Sequence, residues 1–212
     1  MLNLQFELLN KNQVEALKVL KIFSKYGTLG GGTALMLQLS HRYSYDLDIF
    51  FPRLISKKFL YKVKQHFKKI NIITDTGDEF SFVSLPQKVK ISFIYYPFLP
   101  LYKTINTHYL NLFSLKDIAL DKAYTIGRRG EWRDYIDIYF VIKQHNFSLK
   151  DIIRGSQKKF GDSFSEKLFL SQLTYFGDLE DYTIEFIGNK HSEEEIKSFL
   201  EREVERYKKE IL

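Results

Sequence analysis

The chain has 212 residues, of which 44% are hydrophobic, so one large domain or two small ones can each bury a core. It contains no cysteine, which excludes disulfides, thiolate zinc sites and a cysteine nucleophile. The formal net charge of +6 and the pI near 9.2 favour nucleic acid or another polyanion as a partner. A lysine-rich surface exposed to solvent would give the same excess of positive charge.

The sequence offers no membrane segment. No apolar stretch approaches the roughly 20 residues of a membrane helix, and the first residues lack the basic start and long apolar run of a signal peptide. We therefore expect a cytoplasmic chain with no membrane contact.

The first predicted elements are short. Apolar residues recur with helical spacing over residues 12–25, and Gly27 ends that helix. A strand is predicted near residues 28–30, followed by a helix over 33–40 that opens at a run of glycines. Backbone N–H groups at such a glycine-led helix start suit a phosphate, although a glycine run is often only a turn.

Residues 45–51, YDLDIFF, are predicted to form a strand in which Leu47 and Ile49 face one side. Asp46 and Asp48 then face the other side together. Mg²⁺ takes oxygen ligands and usually keeps one or two protein carboxylates, so this pair could hold a divalent ion. Asp-x-Asp is common by chance; what makes it specific here is the preceding order of strand, glycine turn and short helix.

The next elements continue a mixed α/β pattern. Residues 56–69 are predicted to form a basic amphipathic helix with Ser56 as its N-cap. Strand-like runs at 79–85 and 88–96 flank a short turn and predict a hairpin. A third strand-like piece follows near 101–105.

From Ser114 onward the pattern is helical. The predicted helices cover residues 114–129, 131–145, 148–160, 164–176 and 192–212. The sequence therefore predicts an α+β chain, with a mixed α/β domain over residues 1–110 and a helical bundle over 111–212.

Lys122 lies inside an apolar helical stripe, where a lysine either reaches water or meets a specific anion. Arg133, Asp134 and Asp137 lie on the next predicted helix. Arg133 and Asp137 are one turn apart, so they could pair with each other, or Asp137 could pair with Lys122.

These motifs, taken in order, resemble the AbiEii/AbiGii toxin family of nucleotidyltransferases, a branch of the DNA polymerase β-like superfamily. The resemblance spans about residues 25–140, and the segment LSQLTYFGDLED is similar to a weaker family block. The first motif comprises Gly31, Gly32, Thr33, Ala34, Leu35, His41, Arg42, Ser44, Asp46, Leu47 and Asp48. The second comprises Lys122, Arg133, Asp134 and Asp137.

The resemblance implies a nucleotidyltransferase fold and transfer of a nucleoside monophosphate from a nucleoside triphosphate to a hydroxyl of RNA, such as a tRNA end, or of a protein. It also implies a metal, Mg²⁺ or Mn²⁺, and a cognate antitoxin. The implied catalytic residues are Asp46 and Asp48, which also hold the metal, with Lys122 and Asp137. The implied nucleotide-binding residues are Gly31, Gly32, Thr33, His41, Arg42, Ser44 and Arg133.

Several of these positions allow a plainer interpretation. His41 and Arg42 could be exposed basic groups at a helix end, and Ser44 could orient an aspartate, bond a phosphate or merely satisfy a turn. The third carboxylate of many superfamily enzymes falls at Ser92, which cannot act as a base near neutral pH. Asp78 or Glu79 could supply the base instead, the metal alone could activate the hydroxyl, or the activity is weak.

The missing acid leaves a second class open, a catalytically inactive module of the same fold that binds RNA or a protein partner. Transfer to a small molecule ranks lower, because cationic drugs prefer acidic pockets and this chain is basic.

Overall fold

The computed structural model of the protein describes residues 4–145 and 147–211. Backbone contacts divide the chain into two compact units, one ending at Ser114 and one beginning at Leu115. No described helix has both the length and the apolar character needed to span a membrane.

In its described residues, the first unit combines three α-helices and two short 3-10 helices with one sheet of five strands. The helices are α1 (Lys11–Leu20), α2 (Gly31–Leu39) and α3 (Lys57–His66), and the strands are β1 (Thr28–Gly30), β2 (Leu47–Phe51), β3 (Lys69–Asp75), β4 (Glu79–Leu85) and β5 (Val89–Tyr95). The strand order is β1-β2-β5-β4-β3, with β2 and β5 parallel and the other neighbours antiparallel. This mixed sheet confirms the predicted α+β class.

One face of the sheet is an aromatic core beneath α3. The ring of Phe59 on α3 lies 4.8 Å from that of Phe51 and 5.1 Å from that of Phe93. Residues of β2 alternate between buried and half-buried as predicted. The alternation turns Asp48 away from α3, towards the opposite face of the sheet.

The strands differ from the predictions in three places. The strand β2 begins at Leu47, so Asp46 immediately precedes it instead of lying within it. The edge strand β3 was not predicted, because five of its seven residues are exposed and it lacks the alternation of a half-buried strand. The strand-like piece near 101–105 forms only an isolated bridge between Ile105 and Leu112.

The second unit is built from five helices in its described residues. They are α4 (Leu115–Ile126), α5 (Trp132–His145), α6 (Leu149–Phe160), α7 (Glu166–Leu173) and α8 (Glu193–Ile211). The sequence Ser-Leu-Lys-Asp at residues 148–151 predicts an N-cap at Ser148. Its hydroxyl does cap α6, by accepting a hydrogen bond from the backbone N–H of Asp151. The last predicted helix was extended to Leu212, which lies outside the described residues.

Candidate active site

Asp48 occupies the middle of a row that crosses three strands. It faces Gly30 on the antiparallel neighbour β1 and Ser92 on the parallel neighbour β5. Residues paired in this way project to the same face of a sheet. The half-buried carboxylate of Asp48 is therefore flanked by a residue without a side chain and by a hydroxyl.

Gly31 meets the Asp48 carboxylate from the start of α2. Its φ of +64° is one that residues with a side chain rarely adopt, and a Cβ atom there would lie 2.5 Å from Asp48 Oδ2. The helix begins at this residue, with Gly30 as N-cap, and not at Thr33 as predicted. Glycine thus allows the first turn of a helix to approach the carboxylate directly.

The loop that precedes β2 lies against the next glycine. A Cβ atom on Gly32 would lie 2.7 Å from Ser44 Oγ and 2.9 Å from Arg42 Nη2. The close approach of these two polar side chains therefore also depends on the absence of a side chain at position 32.

Thr33 and Gln13 hold this loop in place. The hydroxyl of Thr33 donates to the carbonyl oxygen of Asp46 at 2.5 Å and lies 3.1 Å from Ser44 Oγ. The side-chain amide of Gln13 donates to the carbonyl oxygens of Ser44, at 3.0 Å, and Tyr45, at 3.2 Å. Thr33 is 1% exposed, so its contacts position the backbone that carries Asp46.

Gln13 was not anticipated as part of the site. It is 1% exposed on α1, among residues that pack into the core. A polar side chain at a core position of an amphipathic helix needs a hydrogen-bond partner, and that was the signal in the sequence.

His41 and Arg42 are both buried, with exposures of 1% and 4%. The alternative of exposed basic groups at a helix end is therefore wrong for both. Arg42 Nη1 donates to the carbonyl oxygen of Tyr43 at 3.2 Å. With its Nη2 against Gly32, the guanidinium of Arg42 spans the loop and the glycine turn.

Lys90 is a neighbour of the carboxylate pair that the sequence reasoning did not assign. Its Nζ lies 3.7 Å from Asp46 Oδ2, and both side chains are partly exposed. Lys90 and Ser92 are alternate residues of β5 and so share a face. Their alternation in KVKIS was visible in the sequence, but which carboxylate Lys90 meets depends on the β2–β5 register.

The register also decides the question of a third acid. Ser92, 3% exposed, is the direct neighbour of Asp48. Glu79 on β4 pairs with Ile94, two residues beyond Ser92 and two strands from Asp48, which places the two backbones about 12 Å apart. Asp78 precedes β4 and is exposed. Neither proposed substitute stands beside the pair.

The charged oxygen donors of this site are the carboxylates of Asp46 and Asp48. Among the described residues, no group of three or more His, Cys, Asp or Glu side chains is arranged to hold an ion. The two carboxylates lie beside a glycine turn, where a Cβ atom would fill the space next to Asp48. Mg²⁺ and Mn²⁺ usually bind one or two protein carboxylates and complete their coordination with water and phosphate oxygens. The residues therefore suit an ion that is partly coordinated by water and phosphate, and not an ion that is enclosed entirely by protein ligands.

The second unit gathers a separate charged cluster between α4 and α5. Lys122 forms ion pairs with Asp134 and with Asp137, the latter at 3.0 Å, and these two carboxylates are 1% and 0% exposed. Arg133 pairs with Glu131 at 2.5 Å and is about half exposed. Of the two pairings considered for Asp137, the structure contains the one with Lys122.

The structure thus brings the predicted residues together in two groups. The first unit contains Gly31, Gly32, Thr33, Arg42, Ser44, Asp46 and Asp48, and the second contains Lys122 and Asp137. The first group can bind a cation at its carboxylates and an anion at the amides of α2. The second is an almost fully buried ion-pair cluster that also includes Asp134.

Comparison with known proteins gives a family match over most of the chain. The model of the family described as "Nucleotidyl transferase AbiEii toxin, Type IV TA system" matches residues 19–211. A curated relative, the uncharacterized protein aq_aa25 of Aquifex aeolicus (strain VF5), is 31% identical over 184 residues, covering 84% of this chain and 86% of its own.

Solved structures share the fold. The toxin MenT4 of Mycobacterium tuberculosis H37Rv, a nucleotidyltransferase, aligns with a TM-score of 0.59 and 12% identity over 91% of this chain and 81% of its own. A candidate nucleotidyltransferase from Helicobacter pylori aligns with a TM-score of 0.56 and 19% identity over 96% of this chain and 97% of its own. At these identities the similarity establishes the fold alone.

Proposed function

The chain belongs to the AbiEii family of nucleotidyltransferase toxins, and from this premise we propose that it transfers a nucleoside monophosphate from a nucleoside triphosphate to a hydroxyl group of RNA or protein, releasing pyrophosphate. The observation that carries the proposal is the approach of Gly31 to the Asp48 carboxylate, which brings an anion-binding helix start and a cation-binding side chain together.

Asp46 and Asp48 hold Mg²⁺ or Mn²⁺ in this proposal. When bound, the ion neutralises charge on the phosphates and stabilises the charge that develops during transfer. The amides at the start of α2, around Gly31 and Gly32, bind the phosphates. Thr33 keeps Asp46 in position through its hydrogen bond to the Asp46 carbonyl.

The buried basic residues take a supporting role. Arg42 braces the loop of Ser44 against the glycine turn, and its charge adds to the positive potential around a bound phosphate. The family resemblance assigns Lys122 and Asp137 to the nucleotide. The ion pairs of Lys122 with Asp134 and Asp137 join α4 to α5 and support a structural role for these residues.

The family is described as part of type IV toxin–antitoxin systems, so we also propose a cognate antitoxin as partner. Its contact surface is not assigned.

Ser92 favours the second candidate, an inactive module that binds RNA or a protein partner. A hydroxyl in the place of a third carboxylate leaves the acceptor without a neighbouring base. If the enzyme is active, the acceptor proton leaves to solvent or to a substrate phosphate.

The deciding experiment is incubation of the full chain with labelled nucleoside triphosphates, Mg²⁺ and total RNA or protein extract. Label transfer should fall by about 10²–10³-fold or more in Asp48→Asn. It should persist in Asp75→Asn, which removes an exposed carboxylate from the same sheet. Absence of transfer with every nucleotide, together with RNA binding that survives Asp48→Asn, would establish the module instead.

A further inference from the structure

One groove of the first unit has neither Asp46 nor Asp48 in its lining. It encloses about 690 Å³ between α1, the junction of α3 with β3, and the turn that joins β4 to β5. A second depression of about 470 Å³ continues it and shares Phe67, Lys68, Lys69 and Leu85. Together they form a channel, which we call the basic groove, along the end of the sheet.

The basic groove has an apolar floor and a cationic rim. Val19, Leu85 and Pro86 supply apolar surface, whereas Lys68 and Lys69 line one side. Lys64 and Lys88 add two further cations, and all four lysines are exposed. No ion pair involves these four ammonium groups among the residues that the structure describes.

The chain around the groove is depleted of acids. Between Asp48 and Asp75 there are seven Lys and Arg residues and no Asp or Glu. Uncompensated cations around a concave surface create a positive potential that attracts a polyanion.

The groove and the carboxylate pair both lie near the start of β5. Lys88, which immediately precedes β5, lines the groove, and Lys90, two residues further along the chain, lies 3.7 Å from Asp46. Consecutive Cα atoms are about 3.8 Å apart, so the backbones of Lys88 and Lys90 lie within about 8 Å of each other, a distance that a few nucleotides can cover.

We propose that the basic groove binds the single-stranded end of an RNA and delivers its terminal hydroxyl past Lys90 to Asp46 and Asp48. This inference rests on the proposed function for the reaction, but not for the binding itself. The regular charge of a phosphate backbone matches the lysine rim, and an unpaired base can lie on the apolar floor, which a duplex would not reach.

The composition of the lining also predicts the kind of recognition. In this proposal the lysines contact phosphates, and of the other lining residues His66 and Gln87 are the two that could hydrogen-bond to a base edge. Binding should therefore depend strongly on salt and weakly on sequence.

The test is fluorescence anisotropy of the full chain with a labelled single-stranded RNA of about 10 nucleotides. Lys68→Glu/Lys69→Glu should weaken binding at least about 10-fold and reduce the slope of log K against log salt by about 1.4, the value for two phosphate contacts. The matched control is Lys158→Glu/Lys208→Glu, which makes the same charge change at exposed lysines of the second unit and should alter affinity less than about 2-fold.

Equal losses in the groove variant and in the control would overturn the inference, since overall charge would then explain the binding. So would a duplex RNA or a polyglutamate chain that binds as tightly as the single strand and is lost in the same variant.

Two further readouts separate this inference from the proposed function. Asp48→Asn should bind the RNA like the unmodified chain, whether or not transfer occurs. If transfer to RNA does occur, the groove variant should raise the KM for RNA and leave the KM for the nucleotide unchanged. An unchanged KM for RNA would reject the groove while leaving the transferase intact.

Discussion

The two units of the chain differ in how they use charge. The first, up to Ser114, has 15 Lys and Arg against 7 Asp and Glu, a formal charge of +8, and the second has 17 against 19, a formal charge of −2. The positive charge of the whole protein therefore resides in the unit that carries the glycine turn and the carboxylate pair.

The two units also differ in where their charged side chains lie. In the second unit, the fully buried Lys159 pairs with Asp117 at 3.2 Å and with Asp121 at 2.6 Å, and Lys122 is nearly as deep. In the first unit, the lysines of the basic groove are exposed. Charge in the second unit serves its own packing, whereas charge in the first is available to an external anion.

Among the variants that test this difference between the units, Lys122→Met should have the largest effect. It would leave Asp134 and Asp137 buried without their cation, so we expect a loss of about 3–5 kcal/mol in the free energy of unfolding, measured by urea denaturation. Lys90→Met is the counterpart in the first unit and should cost less than about 1 kcal/mol, because the Lys90–Asp46 pair is partly exposed.

Stability has to be measured beside activity for this variant. If Lys122→Met unfolds at the same urea concentration as the unmodified chain and nucleotidyl transfer is still lost, the cluster acts in the reaction and the packing role assigned here is wrong.

The next effect in size concerns the glycine turn. Gly31→Ala places a Cβ atom where Asp48 Oδ2 now lies and imposes a φ of +64° on alanine, so we expect a loss of about 1–3 kcal/mol in stability and of about 10²-fold in transfer activity. Thermal unfolding measures the loss of stability, and initial rates measure the loss of transfer activity.

Gly161→Ala is the matched control. Its φ of +53° is also one that alanine rarely adopts, but nothing lies within 4 Å of the added Cβ. It should lose stability and keep full activity. Equal activity in both variants would show that the approach of Gly31 to Asp48 is irrelevant to the reaction.

The smallest effect tests electrostatics in the second unit. Hydrogen bonds from the Tyr139 hydroxyl, Lys143 and His191 lower the pKa of Glu195 from its ordinary 4.5 to about 2. A lowered pKa in the folded state stabilises the protein above pH 4.5, and the contribution is lost as the pH falls from 4.5 towards 2.

In Glu195→Gln we therefore expect a flatter dependence of unfolding free energy on pH in that window, with a change below about 1 kcal/mol at neutral pH because the carboxylate is exposed. Glu194→Gln removes the same charge from the same turn of α8 and should leave the pH dependence as it is.

Local patterns predicted much of this molecule. The alternation in YDLDIFF, the caps at Ser56 and Ser148, and the hairpin of β4 and β5 all follow from side-chain chemistry within a few residues. The pattern of glycines and aspartates was sufficient to indicate the family.

What the sequence could not supply was information about distant neighbours. The burial of His41, the contact of Gln13 with the loop of Ser44, and the pairing of Lys122 with Asp137 each depend on packing between separate elements. The edge strand β3 was missed for a related reason. The exposed edge strand β3 is held in place by its hydrogen bonds to β4, and those bonds do not appear in the hydropathy pattern of β3 itself.

The proximity of Lys90 to Asp46 has a consequence for how the site would load. A carboxylate with its own counter-ion acquires a divalent cation by exchange, because the ammonium group must first give way. The partly exposed pair is weak, so the barrier to exchange is low. Once displaced, the ammonium remains at the mouth of the site, where it can meet the phosphates that arrive with the incoming nucleotide.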